Sequence, residues 1–300
     1  MTQLADAPTH APAAAAVMAR ARSENFPVAS RLLPRDLREH LLAVYGFARL
    51  VDELGDDPRR APGERLRDLE LLEHALESAL DGAEPGTADP FGELLAPLAH
   101  TVQALALPRE PLLRLIEANR LDQRATRYES WEQLRGYCAL SADPVGELVL
   151  AIFGVWSPER VALSDSICTA LQLIEHCQDV AEDLAHGRVY LPAEDMRRFG
   201  CEEQDLHAAR AGEPLRLLIA FELARARRLL KDGAPLIAGL HGRPRLAVAA
   251  FSAGGAAAIA AIEQARCDVL AAVPRAGTRQ RALAFAATLR ASHAAGGPRP

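Results

Sequence analysis

Residues 172–192 read QLIEHCQDVAEDLAHGRVYLP. Taken as a helix, this stretch sets Gln172, Glu175, Asp179, Glu182 and Asp183 along one side, because positions three and four apart share a face. Leu173, Cys177, Val180 and Leu184 take the other side, and the turns before it, with Ile167, Ala170, Leu171 and Ile174, are mostly apolar. Carboxylates that follow directly on apolar turns are costly when they point unpaired into a core. They make sense when cations sit among them. Far upstream lies a second acidic group, VDELGDD, with Asp52, Glu53, Asp56 and Asp57. The expectation is that the two groups face each other across a cavity and hold magnesium and a diphosphate.

Working outward, the chain reads as helix almost throughout. Its apolar residues are dominated by Ala and Leu, which favour helix, and β-branched runs of period two are hard to find. Three hundred residues suffice for a large core. The net charge of −6 speaks against a nucleic-acid partner, which needs a basic face. The five cysteines (Cys138, Cys168, Cys177, Cys201 and Cys267) show no zinc-type spacing, so reduced, buried thiols in a cytoplasmic protein are expected. His176 beside Cys177 is no evidence of a pair, since neighbours on a helix point apart. There is no internal repeat, P-loop or GxGxxG signature. Residues 1–19 read as a disordered Ala/Pro-rich arm, 20–293 as one domain, and 294–300 as a frayed tail. No stretch is judged long and apolar enough to span a bilayer, AFSAGGAAAIAAI coming closest.

The first acidic group ends a helical pattern. Leu37, Leu41, Val44, Tyr45 and Ala48 recur at helical spacing, and the same stripe continues through Arg49, Asp52 and Asp56 before Pro58 closes it. Asp52 is thus in phase with the buried leucines, whereas Asp56 and Asp57 suit an ordinary charged helix end. Asp122, Arg127 and Tyr128 contact a ligand or merely cap and pair, the surface reading being favoured. Further on, Ser130 and Gln133 form a capping box, and Pro144 predicts a kink within residues 141–146. Tyr137, just before the kink, reads as a core residue ahead of a catalytic one. Gly187 ends the acidic helix, after which Arg188 and Tyr190 either close over an anion or belong to a surface loop. Gly254 and Gly255 predict close packing of a small-residue helix.

These motifs carry a family resemblance. The chain resembles the squalene/phytoene synthases, and within them the bacterial hydroxysqualene synthase branch of hopanoid pathways, over residues 23–274. YGFARLVDELGDD is similar to the family's first aspartate-rich motif and ALQLIEHCQDVAEDLAHGRVYLP to the second. YCALSADPVGELVL resembles the helix between them, and ENFPVASRLLP points to the same branch. The family often has Asn at Glu175 and Arg at Gln178. Loss of that Arg removes a diphosphate contact, and Glu175 adds acidity.

The resemblance implies an all-α, single-domain helical bundle around a central cavity, the class I isoprenoid synthase fold. It implies Mg2+ on Asp52, Asp56, Asp179 and Asp183, a diphosphate held by Arg49 and Arg188, and substrate contacts from Ser23, Asn25, Gln172 and Tyr190. Tyr45 and Tyr137 would turn their rings to a carbocation, with Asp52 and Asp179 as the central acids of the chemistry. The implied reaction takes presqualene diphosphate to hydroxysqualene with capture of water and needs no NADPH. Head-to-head condensation of two farnesyl diphosphates uses the same motifs and is the alternative. A non-catalytic helical scaffold is a third reading, disfavoured because unpaired clustered acids only destabilise. The implied setting is the cytoplasm, with transient contact at the inner face of the membrane to release an apolar product. Association with other hopanoid-pathway enzymes stays open.

Overall fold

The computed structural model describes residues 12–19, 34–83 and 90–295. The chain divides into two compact units, one reaching to Gln123 and the other beginning in earnest at Arg124. Among the described residues every regular element is helical, apart from an isolated bridge between Arg127 and Val189.

The first unit holds α1 (Ala14–Ala19), α2 (Arg35–Gly55), α3 (Pro62–Leu80), α4 (Gly92–Leu105) and α5 (Glu110–Asp122). α2 lies at its centre and touches each of the other four. The expected stripe forms, with Phe47, Leu50, Val51 and Leu54 buried. α3 buries Leu69, Leu72 and Leu76 completely and leaves Leu71 exposed. Each such leucine contributes about 2 kcal/mol of apolar burial. Ala14–Ala19, expected to lie within a disordered arm, is a helix docked on α2. Its alanines favour helix, and Val17 is fully buried.

The second unit holds α6 (Trp131–Ser141), α7 (Asp143–Ile152), α8 (Pro158–Gln178), α9 (Val180–Ala185), α10 (Ala193–Phe199), a short 3-10 helix (Glu203–His207), α11 (Glu213–Gly239), α12 (Gly242–Gln264) and α13 (Thr278–Ala295). Here α8 is the central element, packed by α6, α7, α11 and α12. Ser130 and Ser157 cap α6 and α8, accepting from the N–H groups of Gln133 and Arg160. The predicted kink is real: α6 gives way to α7 at Ala142. Two glycines let backbones approach α8. A Cβ on Gly233 would stand 2.7 Å from the Leu163 carbonyl oxygen, and one on Gly255 would stand 2.6 Å from Leu171 Cδ2.

Two expectations need correction. The acidic stretch is not one helix, because α8 stops at Gln178 and α9 starts at Val180. The break keeps both Gln178 and Val180 buried while Asp179 between them stays partly open. α12 is, by length and composition alone, apolar enough to cross a membrane, against the reading that no stretch is. Half of its most apolar window is buried inside the protein, as in a core helix.

Candidate active site

In the first unit, α2 carries Asp52 to Asn119 of α5, whose Nδ2 donates to Asp52 Oδ1 at 3.2 Å. Gly55 makes room for this contact: a Cβ there would lie 2.1 Å from Asn119 Oδ1. Its carbonyl accepts from Gln123 Nε2 at 3.0 Å and from an Arg65 terminal nitrogen at 3.1 Å. Burial pushes the Asp52 carboxyl up to about 7, and neighbouring Asp56 pushes the same way. The Asn119 hydrogen bond and the charge of Arg49 pull it back, while Asp122 raises it further. Asp122 is buried, so the favoured surface reading of that residue is wrong. Arg49 Nε is buried without a hydrogen-bond partner, 3.7 Å from Glu53 Oε1. Asp56 is exposed at the helix end and donates its N–H to the Asp52 carbonyl. Asp57 is committed to Arg59 through bonds of 2.8 and 2.9 Å, an ordinary helix-end role.

In the second unit, Asp179 sits in the break between α8 and α9, and the Asp183 N–H returns to its carbonyl at 2.8 Å. Burial pushes the Asp179 carboxyl up to about 6, with Asp183 and Glu182 adding repulsion. Arg275 and His176 pull it down. Arg275, which the sequence reading did not single out, is delivered by a partly buried tie: Gln178 Nε2 donates to the Pro274 carbonyl at 2.5 Å. Gln178 therefore anchors the loop that brings Arg275 to Asp179.

The strap GRVYLP after α9 is pinned along residues 126–129. Val189 donates to the Thr126 carbonyl and Ala193 to that of Tyr128, each at 2.9 Å, and an Arg127 terminal nitrogen reaches the Gly187 carbonyl at 2.7 Å. Arg188 donates its N–H to the Asp183 carbonyl at 2.9 Å and lines a small pocket with His176, Asp183 and Tyr190. Three of the chain's four tyrosines meet here. Tyr137 lies 5.5 Å from Tyr128 and 5.3 Å from Tyr190, ring centre to ring centre. His176 stacks on Tyr190 at 3.9 Å and 16°. Sequence reasoning favoured a surface role for Tyr128, which is buried, and set His176 aside beside Cys177 without finding these partners.

Of the predicted site residues, Tyr45, Arg49, Asp52 and Asp56 belong to the first unit, and Tyr137, Gln172, Asp179, Asp183, Arg188 and Tyr190 to the second. Ser23 and Asn25 lie outside the described residues. Among the described residues no group of three or more His, Cys, Asp or Glu side chains is gathered to hold a metal ion. What each unit offers is a pair of carboxylates four positions apart, which suits magnesium, an ion usually held by one or two carboxylates together with phosphate oxygens and water.

Comparison with known proteins agrees with this architecture. A model of the squalene/phytoene synthase family matches residues 19–282. A hydroxysqualene synthase of Sinorhizobium fredii is 34% identical over 220 residues, covering 72% of this chain and 71% of the relative. The crystal structure of squalene synthase HpnC from Alicyclobacillus acidocaldarius is 45% identical, with a TM-score of 0.73 over 83% of this chain and 91% of that one. A dehydrosqualene synthase solved with a ligand superimposes with a TM-score of 0.81 over 94% of this chain and 96% of that one, at 21% identity, a likeness of fold.

Proposed function

We propose that this chain, which belongs to the squalene/phytoene synthase family of isoprenoid synthases, converts presqualene diphosphate and water into hydroxysqualene, diphosphate and a proton. The observation that carries the proposal is the state of the two acidic pairs. Asp52 and Asp179 are pushed up to about 7 and about 6 by burial and by carboxylate neighbours. A fold that crowds Asp52 with Asp56, and Asp179 with Asp183, at a cost gains from each pair only when cations arrive. The choice of reaction follows the similarity to a hydroxysqualene synthase.

Asp52, Asp56, Asp179 and Asp183 would hold magnesium. When bound, magnesium neutralises the charge that develops on the departing diphosphate. Arg49, Arg188 and Arg275 supply fixed positive charge for diphosphate oxygens, and a guanidinium is suited to that task by its planar fork of donors. The carbon–oxygen bond to the diphosphate breaks, the cation rearranges, water adds its oxygen, and the water proton leaves. No electrons are exchanged, so NADPH has no part in it. Tyr45 and Tyr137 offer aromatic faces to the cation. Leu- and Ala-rich helices keep competing nucleophiles away.

The test gives purified protein magnesium and, in parallel, presqualene diphosphate and farnesyl diphosphate without NADPH, with products read by mass spectrometry. Hydroxysqualene from presqualene diphosphate alone is expected. Presqualene diphosphate formed from farnesyl diphosphate would overturn the assignment in favour of condensation. No turnover of either would return the scaffold reading.

A further inference from the structure

The geometry points to His176 as a positioning residue that sets the Asp183 carboxylate and the Tyr190 ring relative to one another, an inference that rests on the reading of Asp183 as a magnesium-holding acid. His176 is 6% exposed on the last turn of α8, with Tyr190 stacked on its ring and a polar neighbour beside each nitrogen. Its ring stacks on Tyr190 at 3.9 Å and lies 6.0 Å from that of Tyr137. The Gln172 amide nitrogen stands 3.3 Å from Nε2. An amide nitrogen only donates, so Nε2 accepts, and a neutral ring then carries its proton on Nδ1. Nδ1 lies 3.8 Å from Asp183 Oδ2. The Nδ1 edge of the ring thus faces Asp183 Oδ2 at an ion-pair distance, too long for a direct hydrogen bond. Histidines and carboxylates that orient a metal-binding group in this way commonly set its affinity.

The same ring joins three elements. Gln172 belongs to α8, Asp183 to α9 and Tyr190 to the strap, whose Arg188 N–H is bonded to the Asp183 carbonyl at 2.9 Å. A histidine serving packing alone would need none of these polar partners, and phenylalanine would replace it without loss.

Three variants separate the roles. In His176→Phe the ring survives and the donor is lost. In His176→Asn a donor stays where Nδ1 was, whereas His176→Gln moves it to the place of Nε2. Magnesium is titrated calorimetrically into each protein with inorganic pyrophosphate present, and near-ultraviolet circular dichroism follows the tyrosines. The wild-type protein should take up magnesium. Phe and Gln variants should bind it about tenfold more weakly, with the Asn variant within about threefold of wild type. With presqualene diphosphate the loss should appear mainly in kcat. Unchanged affinity in the Phe and Gln variants overturns the inference, as does an Asn variant as weak as the others. If the Phe variant loses its native tyrosine signal, the Asn–Gln comparison still decides. A wild-type protein that binds no magnesium overturns the reading of the acidic pair, and the inference with it; wild-type uptake with indifferent variants overturns the inference alone.

Discussion

At Asp179 the protein keeps a carboxylate in surroundings that resist its charge, and the sign of the consequence can be worked out. The folded value, about 6, lies above the ordinary 3.8, so the native state holds the proton more tightly than the unfolded chain. Stability from this group is therefore greatest at low pH, falls as pH rises from about 4 through about 6, and stays low above that. Asp52 acts in the same sense with its folded value at about 7. Replacing Asp179 by Asn should stabilise the metal-free protein at pH 8 by about 1 kcal/mol, discounted for partial exposure, measured by urea unfolding. The same change should lower kcat by about a hundredfold or more. A third acid, Glu222 on α11, is fully buried and pushed up to about 7 by that burial, with Arg225 pulling it down and Asp195 pushing it up. Arg225 bonds to both carboxylates, reaching Asp195 Oδ2 at 2.9 Å, while Glu222 Oε1 has no partner. Glu222→Gln should leave one cation to one carboxylate and shrink the fall in melting temperature between pH 6 and pH 8. A variant with an unchanged pH slope would show that Glu222 titrates elsewhere.

The helices themselves were legible to different depths. α2 was readable because Leu41, Val44 and their partners recur at helical spacing, and Asp52 fell in phase with them. Ser130 and Pro144 announced the start of α6 and the break before α7 through capping and a missing donor. The interruption at Asp179 was not announced, since it depends on what buries Gln178 and Val180, and periodicity does not carry that. Nor were the partners of the acids. Asn119 and Arg275 reach them through tertiary contacts, and the Gln178–Pro274 tie spans 96 positions. His176 was set aside because its neighbour Cys177 offered no pair, while its true partners sit four positions back, seven ahead and in the strap. Packing on α8 makes a prediction of its own. A Gly233→Ala methyl would press on the Leu163 carbonyl, which is backbone and cannot swing away, and should cost about 1–3 kcal/mol of stability. Gly255→Ala meets the end of the flexible Leu171 side chain and should cost less. Equal losses in thermal unfolding would contradict the comparison.

For the whole molecule, the all-α class was evident from composition, the isoprenoid synthase fold followed only from the family resemblance that the two acidic motifs carry, and the family match covers residues 19–282. If those acids exist to receive cations, magnesium with pyrophosphate should raise the melting temperature, and more at pH 8 than at pH 5, because the carboxylates must be ionised to bind. A stabilisation independent of pH would count against them. What separates hydroxysqualene formation from the alternatives is the fate of the substrate's carbocation and the source of the hydroxyl oxygen. The most direct test is a turnover of presqualene diphosphate with magnesium in water labelled with oxygen-18, without NADPH, the product being analysed by mass spectrometry. Hydroxysqualene with the heavy isotope in its hydroxyl group is expected. An unlabelled hydroxyl, or a hydrocarbon in place of the alcohol, would contradict it.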